Sequence, residues 1–177
     1  MLVRGPGIKP GSSIPQLVGL PDLAPTILAM ADVDADADAG MDGRSLLPLL
    51  RSKQDRPTSA AAFASSWRKA YLIEYIATQE GVKGDSTGHV IDVGNNTFRG
   101  LRLIDLSSTP PVDLAYFEFT DPYADWDWAA VEFHELFNMS ADADQLRNIY
   151  NSTPQALRQQ LAESLRVEYA CAGTGCS

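Results

Sequence analysis

Few residues in this 177-residue chain are of a type suited to catalysis. Only His89 and His134 offer an imidazole able to exchange protons near neutral pH. His89 sits in a polar loop punctuated by Gly81, Gly84 and Gly88, the more suggestive setting of the two. His134 falls in a strand-like run on the side opposite Phe133 and Glu135, where a structural role is expected. Neither is accompanied by a Gly-x-Ser-x-Gly nucleophile elbow or by the close-spaced His and Cys ligands of a zinc site. Asp32, Asp34, Asp36 and Asp38 alternate with small apolar residues and invite a calcium test. An EF-hand loop needs Gly at its sixth position and Glu at its twelfth. Counting from Asp32 gives Ala37 and Gly43, and from Asp34 gives Ala39 and Ser45, so the tract reads as a solvated acidic loop.

Trp126 and Trp128 stand among Asp121, Asp125 and Asp127. Such rings stack on the apolar faces of sugars while carboxylates accept sugar hydroxyls; the alternative is that they cover the edge of a core. Cys171 and Cys176 have neither a redox Cys-x-x-Cys nor a zinc half-site spacing, and an end-of-chain disulfide is favoured if the compartment is oxidising. Three glycosylation sequons, at Asn95, Asn138 and Asn151, tilt in the same direction, with Pro154 weakening the third.

Composition bounds the partners. Lys and Arg total 14 against 23 Asp and Glu, a net charge of −9, which argues against a nucleic-acid backbone as ligand. A hydrophobic content of 45% excludes a wholly disordered chain, and no apolar run reaches the ~20 residues of a membrane helix. The residues after Met1 show neither the basic nor the apolar region of a signal peptide.

The elements that must position these side chains fall into two groups. In the first, Leu2 and Val3 read as the end of a buried strand, and Leu17 to Gly19 as another short strand. A helix is predicted from Asp22, with Asp22 as N-cap and Pro25 in the first turn. A short helical segment follows within Arg44 to Leu50, then a polar linker from Arg51 to about Ser66. In the second group, strands are predicted at Tyr71–Ile76, Thr97–Asp105, Leu114–Phe119 and Glu132–Phe137. Leu157, Leu161, Leu165 and Tyr169 then recur every four residues, the stripe of a helix that opens with Pro154 and lies on the sheet. Four antiparallel strands and a terminal helix make a small α+β layer.

In order, these segments resemble the C-terminal part of a sulfatase, from Leu2 to Cys176. Leu2-Val-Arg-Gly-Pro-Gly-Ile-Lys-Pro10 is similar to the strand and turn closing the family's main sheet. Asp22-Leu-Ala-Pro-Thr-Ile-Leu28 and Met41-Asp-Gly-Arg-Ser-Leu-Leu-Pro-Leu-Leu50 resemble the next two family blocks. Leu72-Ile-Glu-Tyr75, Asn95-Asn-Thr-Phe-Arg-Gly-Leu-Arg102, Glu118-Phe-Thr-Asp121 and the run from Glu135 to Asn148 resemble N-acetylglucosamine-6-sulfatases and heparan 6-O-endosulfatases. The closing pair Cys171 and Cys176 matches as well.

The resemblance implies an α/β, alkaline-phosphatase-like fold. Residues 1–58 would form the C-terminal edge of the catalytic domain, including the end of its sheet. Residues 59–177 would form a small α+β subdomain with a four-stranded antiparallel sheet and a C-terminal helix. It also implies hydrolysis of sulfate monoesters, 6-sulfate on N-acetylglucosamine of glycosaminoglycan-type glycans, in the lysosome or outside the cell. In the family the nucleophile is a formylglycine from a Cys/Ser-x-Pro-x-Arg motif, assisted by calcium. This sequence lacks that motif: Ser13, Ser108 and Ser152 have Pro two residues on, but Leu17, Val112 and Ala156 stand where Arg is required. No catalytic or metal residue is therefore carried onto this chain, the N-terminal catalytic portion is expected elsewhere, and these residues alone are expected to be inactive. By loop position, His89, Asn96, Arg99, Trp126 and Trp128 are the candidates to line a cleft for the sulfated sugar. The competing reading is a stand-alone, non-catalytic glycan-binding or interaction module.

Overall fold

A computed structural model of the chain describes residues 1–33, 40–51, 65–76, 97–105, 107–120 and 128–172. It divides into two compact units, one of Met1–Lys69 with Ala170–Ser177 and one of Ala70–Tyr169.

The first unit is organised by one buried carboxylate. A 3-10 turn, Leu20–Asp22, leads directly into helix α1, Leu23–Met30, and a single helical turn, α2, spans Leu47–Leu50. Asp22 makes no side-chain cap bond to α1, contrary to expectation. Its fully buried carboxylate instead accepts the Gly19 and Arg44 amides, each at 2.9 Å, and both Nη atoms of Arg68, at 2.9 and 2.7 Å. A guanidinium held in two parallel bonds is a stronger partner than a helix amide, so the residue goes to the ion pair. Thr26 Oγ1 accepts the Leu46 amide, and Gly43 passes so close to Pro21 that a Cβ there would lie 2.0 Å from its carbonyl oxygen. These contacts hold the α1 and α2 segments together over a core of Leu46, Leu49 and Trp67.

Two expected strands do not form. The Leu17 carbonyl accepts the Trp67 indole N–H at 2.7 Å, which turns that segment toward a side chain rather than a ladder. Leu2 is fully exposed, and the nearest pairing of its segment among the described residues is an isolated bridge between Ile8 and Arg51.

The second unit is the expected meander. Strands β1 (Ala70–Tyr75), β2 (Thr97–Asp105), β3 (Val112–Thr120) and β4 (Phe133–Asn138) pair antiparallel in chain order. Helix α3, Gln155–Ala170, follows a 3-10 turn at Tyr150–Ser152. Side chains alternate across the sheet. One face carries the row Leu72, Leu101, Tyr116 and Leu136 against Leu161 and Leu165 of α3. Burying each of those two leucines is worth about 2 kcal/mol, so the leucine stripe docks the helix. The opposite face carries a row of rings crossing all four strands, Tyr75, Phe98, Phe119 and Phe133, with neighbouring centroids 5.5 to 5.9 Å apart. One step along, Gly100 lies beneath the Phe117 ring, and a Cβ there would sit 2.2 Å from its Cδ1.

Candidate functional site

The register sets the site. On the face toward α3, one row across the sheet reads Glu74, Arg99, Glu118 and His134, two residues beyond the leucine row. Thr97 and Thr120, both buried, are partners at the end of β2 and β3. Thr97 begins β2 and Thr120 ends β3, so residues 77–96 and 121–127 attach in sequence at the same end of the sheet, next to Arg99 and Glu118.

Arg99 is buried, and its Nε and Nη2 donate to Glu118 Oε2 at 2.9 and 2.7 Å. The other carboxylate oxygen, Oε1, accepts the Tyr116 hydroxyl at 2.8 Å. Burial and then this bond to Glu118 push the Tyr116 phenol far above its ordinary pKa, so it stays a donor. The Arg99 guanidinium also lies 4.5 Å from the Trp128 ring centre and 5.0 Å from that of Tyr169, the two rings meeting edge to face. Cation–π attraction of this kind is worth about 0.5–2 kcal/mol per ring.

Of the five cleft candidates, Arg99 and Trp128 are thus brought together, but as a packed ion-and-ring cluster. Arg99 spends its directional bonds on Glu118, which leaves it a poor receptor for a sugar's anion. Trp128 lies over Arg99, and its indole nitrogen is buried without a hydrogen-bond partner. His89, Asn96 and Trp126 lie outside the described residues, as do Asn95 and Cys176. Asn138 and Asn151 are exposed, and Cys171 is disulfide-bonded.

His134 takes part in an arrangement that the spacing of residues did not announce. Its ring stacks on Tyr150 at 4.4 Å and 7°, and Tyr116 lies nearly parallel to both. Burial lowers the imidazole pKa; Glu118 opposes that shift and Arg158 reinforces it. Tyr150 stands in a 3-10 turn and Arg158 in α3, so no sequence period links them to His134. The signal that could have found them is weak: a polar Arg158 one residue after Leu157 in the buried stripe.

Among the described residues no group of three or more His, Cys, Asp and Glu side chains is placed to hold a metal ion. The buried carboxylates of Asp22 and Glu118 are each bonded to an arginine. The residues described therefore do not fit a calcium centre, and no chemical step is derived through one. No helix among them is long and apolar enough to cross a membrane.

Comparison with known proteins places this geometry. No family model matches the chain. Human N-acetylglucosamine-6-sulfatase is 31% identical over 189 aligned residues, which take in 99% of this chain and 30% of that protein. The chain thus spans about a third of the length of the curated relatives it matches. Among solved structures, yidJ of Bacteroides fragilis, a candidate sulfatase, superposes with a TM-score of 0.55 at 17% identity, covering 91% of this chain and 26% of that one. BT4656, solved with its substrate D-glucosamine-2-N,6-O-disulfate, gives a TM-score of 0.50 at 23% identity, covering 82% of this chain and 22% of that one. The ordered blocks, the four-stranded sheet with its terminal helix, and these relatives together identify the chain as a C-terminal region of the sulfatase family, with its alkaline-phosphatase-like fold.

Proposed function

We propose that the protein to which these residues belong hydrolyses sulfate monoesters, with 6-sulfated N-acetylglucosamine of glycosaminoglycan-type glycans as substrate. The observation that carries this reading is the 31% identity to human N-acetylglucosamine-6-sulfatase along 99% of this chain. The formylglycine nucleophile and calcium ion implied by the family belong to sequence outside these residues, because no Cys/Ser-x-Pro-x-Arg motif occurs here. The chain's own part is structural: the Arg99–Glu118 cluster stiffens the sheet end that carries residues 77–96 and 121–127. His89, Asn96 and Trp126, on those segments, are the residues we assign to the sugar. An oxidising compartment, lysosomal or extracellular, agrees with the disulfide at Cys171 and with the sequons at Asn95, Asn138 and Asn151.

The test is sulfate release from N-acetylglucosamine 6-sulfate by the full-length protein, with an N-acetylgalactosamine 4-sulfate control. Preference for the 6-sulfated glucosamine supports the assignment; equal or reversed preference overturns it. The 177 residues alone are expected to release no sulfate from an aryl sulfate, and measurable turnover by them would place a nucleophile within this sequence.

A further inference from the structure

Asn138 and Asn151, the sequon asparagines among the described residues, are held differently by the fold. Asn138 is the last residue of β4, an edge strand of the sheet, and it is exposed. Its Oδ1 accepts the Ala141 amide at 3.2 Å, closing the turn that follows, and among the described residues nothing accepts a hydrogen bond from its Nδ2. Asn148 is the contrast. Its Oδ1 accepts the Leu136 and Tyr150 amides and its Nδ2 donates to the His134 carbonyl, so that amide is used by the fold. The hydroxyl of the Asn138 sequon belongs to Ser140, which is exposed and donates to Asp113 Oδ2 at 2.7 Å.

Asn151 is exposed too, but it sits inside the Tyr150–Ser152 turn, and Pro154 directly follows its sequon. A proline restricts the residue before it to extended backbone, which Thr153 adopts, and so stiffens the sequon. The Thr153 hydroxyl is buried and donates to the Ile149 carbonyl at 2.9 Å. The register adds a second property of Asn138. It pairs with Leu114, whereas residues 121–127 follow Thr120, about 20 Å further along β3. A bulky group on Asn138 therefore stands at the opposite end of the sheet from the attachment of residues 77–96 and 121–127.

We propose that Asn138 carries an N-linked glycan. The step is a glycosyl transfer: Nδ2 attacks the anomeric carbon of an oligosaccharide diphosphate donor, and a new N–C bond forms. The bond from that carbon to the diphosphate oxygen breaks, its electron pair leaves with the diphosphate, and one amide proton is lost. The side-chain carbonyl is untouched, so the bond from the Ala141 amide survives and the fold accepts the glycan. A bulky, solubilising group then covers the end of an edge strand, the part of a sheet most prone to pair with other chains. The inference rests on the lysosomal or extracellular compartment proposed above, because the donor is met on the secretory route; it does not rest on the proposed activity.

The test uses the full-length protein purified from its native source. Trypsin digestion and enzymatic removal of N-glycans in heavy-oxygen water leave a labelled Asp at each occupied asparagine, read by mass spectrometry. Cleavage after Lys83, Arg99, Arg102, Arg147 and Arg158 places Asn95, Asn138 and Asn151 in separate peptides. The label is expected at Asn138 in most molecules and at Asn151 in few. Asn138→Gln and Ser140→Ala, expressed in the same host, should each lose one glycan in gel mobility. An unlabelled Asn138 in protein recovered outside the cytosol overturns the proposal, as does a label at Asn151 exceeding that at Asn138, or unchanged mobility in both variants. Protein held in the cytosol, with Asn138 bare and Cys171 reduced, overturns the proposal together with the compartment, so the two failures are told apart.

Discussion

Replacing Arg99 by methionine should destabilise the sheet unit far more than an exposed arginine would. The guanidinium makes two hydrogen bonds to Glu118 Oε2, at 2.9 and 2.7 Å, and both side chains are almost fully buried. Removing one partner strands the other charge, which in buried pairs costs about 3–5 kcal/mol. The rings of Trp128 and Tyr169 lose a cation as well, although methionine sulfur packs acceptably on aromatic faces and returns part of that. Against a total of about 5–15 kcal/mol for a domain, the loss is a large fraction. With a urea slope of about 1–3 kcal/mol per molar, the midpoint should fall by roughly 2 M. Circular dichroism of urea-treated wild type and variant measures this directly. Replacing both partners, as in Arg99→Met with Glu118→Leu, should recover most of the loss, because the cost lies in the unpaired charge. About 1 kcal/mol should stay missing, since the Tyr116 hydroxyl then lacks its acceptor. A midpoint unchanged in Arg99→Met would refute the reasoning and return Arg99 to the role of a ligand-binding cation. So would a double variant less stable than the single.

Three further outcomes are expected. Asp22→Ala removes the acceptor of the Gly19 and Arg44 amides and of Arg68, and should cost about 3–5 kcal/mol; deprotection of the Arg44 amide in hydrogen exchange reads it. Gly100→Ala drives a Cβ into Phe117 and should cost about 1–3 kcal/mol in melts; Phe117→Leu beside it should relieve most of that. The His134 pKa is lowered by burial, so the unfolded chain binds a proton that the folded one does not between the lowered value and 6.5. Stability should therefore rise with pH across that window, and His134→Phe, which keeps a ring against Tyr150, should flatten the rise; an unchanged slope would contradict it.

The sheet and its helix were legible because period and burial coincide there. β2 spans Thr97–Asp105 as its alternation predicts, and the leucine stripe of α3 buries Leu161 and Leu165. Asp22 was legible only as a helix start by residue type. Its partner Arg68 is 46 residues away, and nothing local in the sequence favours that pair over a cap. Arg99 shows the same limit from the other side. Its charge and loop position suggested an anionic sugar, but register places it opposite Glu118, and proximity of opposite charges in a dry environment decides its use.

The order of blocks, a property of the linear chain, determined by itself the family, and the linear chain likewise shows that these residues hold no Cys/Ser-x-Pro-x-Arg motif. Which polar residues are spent on the fold and which stay available is a matter of tertiary structure alone. Arg99 and Arg158 have the same chemistry, yet Arg99 is paired with the Glu118 carboxylate on the neighbouring strand, while among the described residues no carboxylate pairs with Arg158. Pairing depends on distances between segments far apart in sequence, and those distances exist only once the sheet and helix have packed.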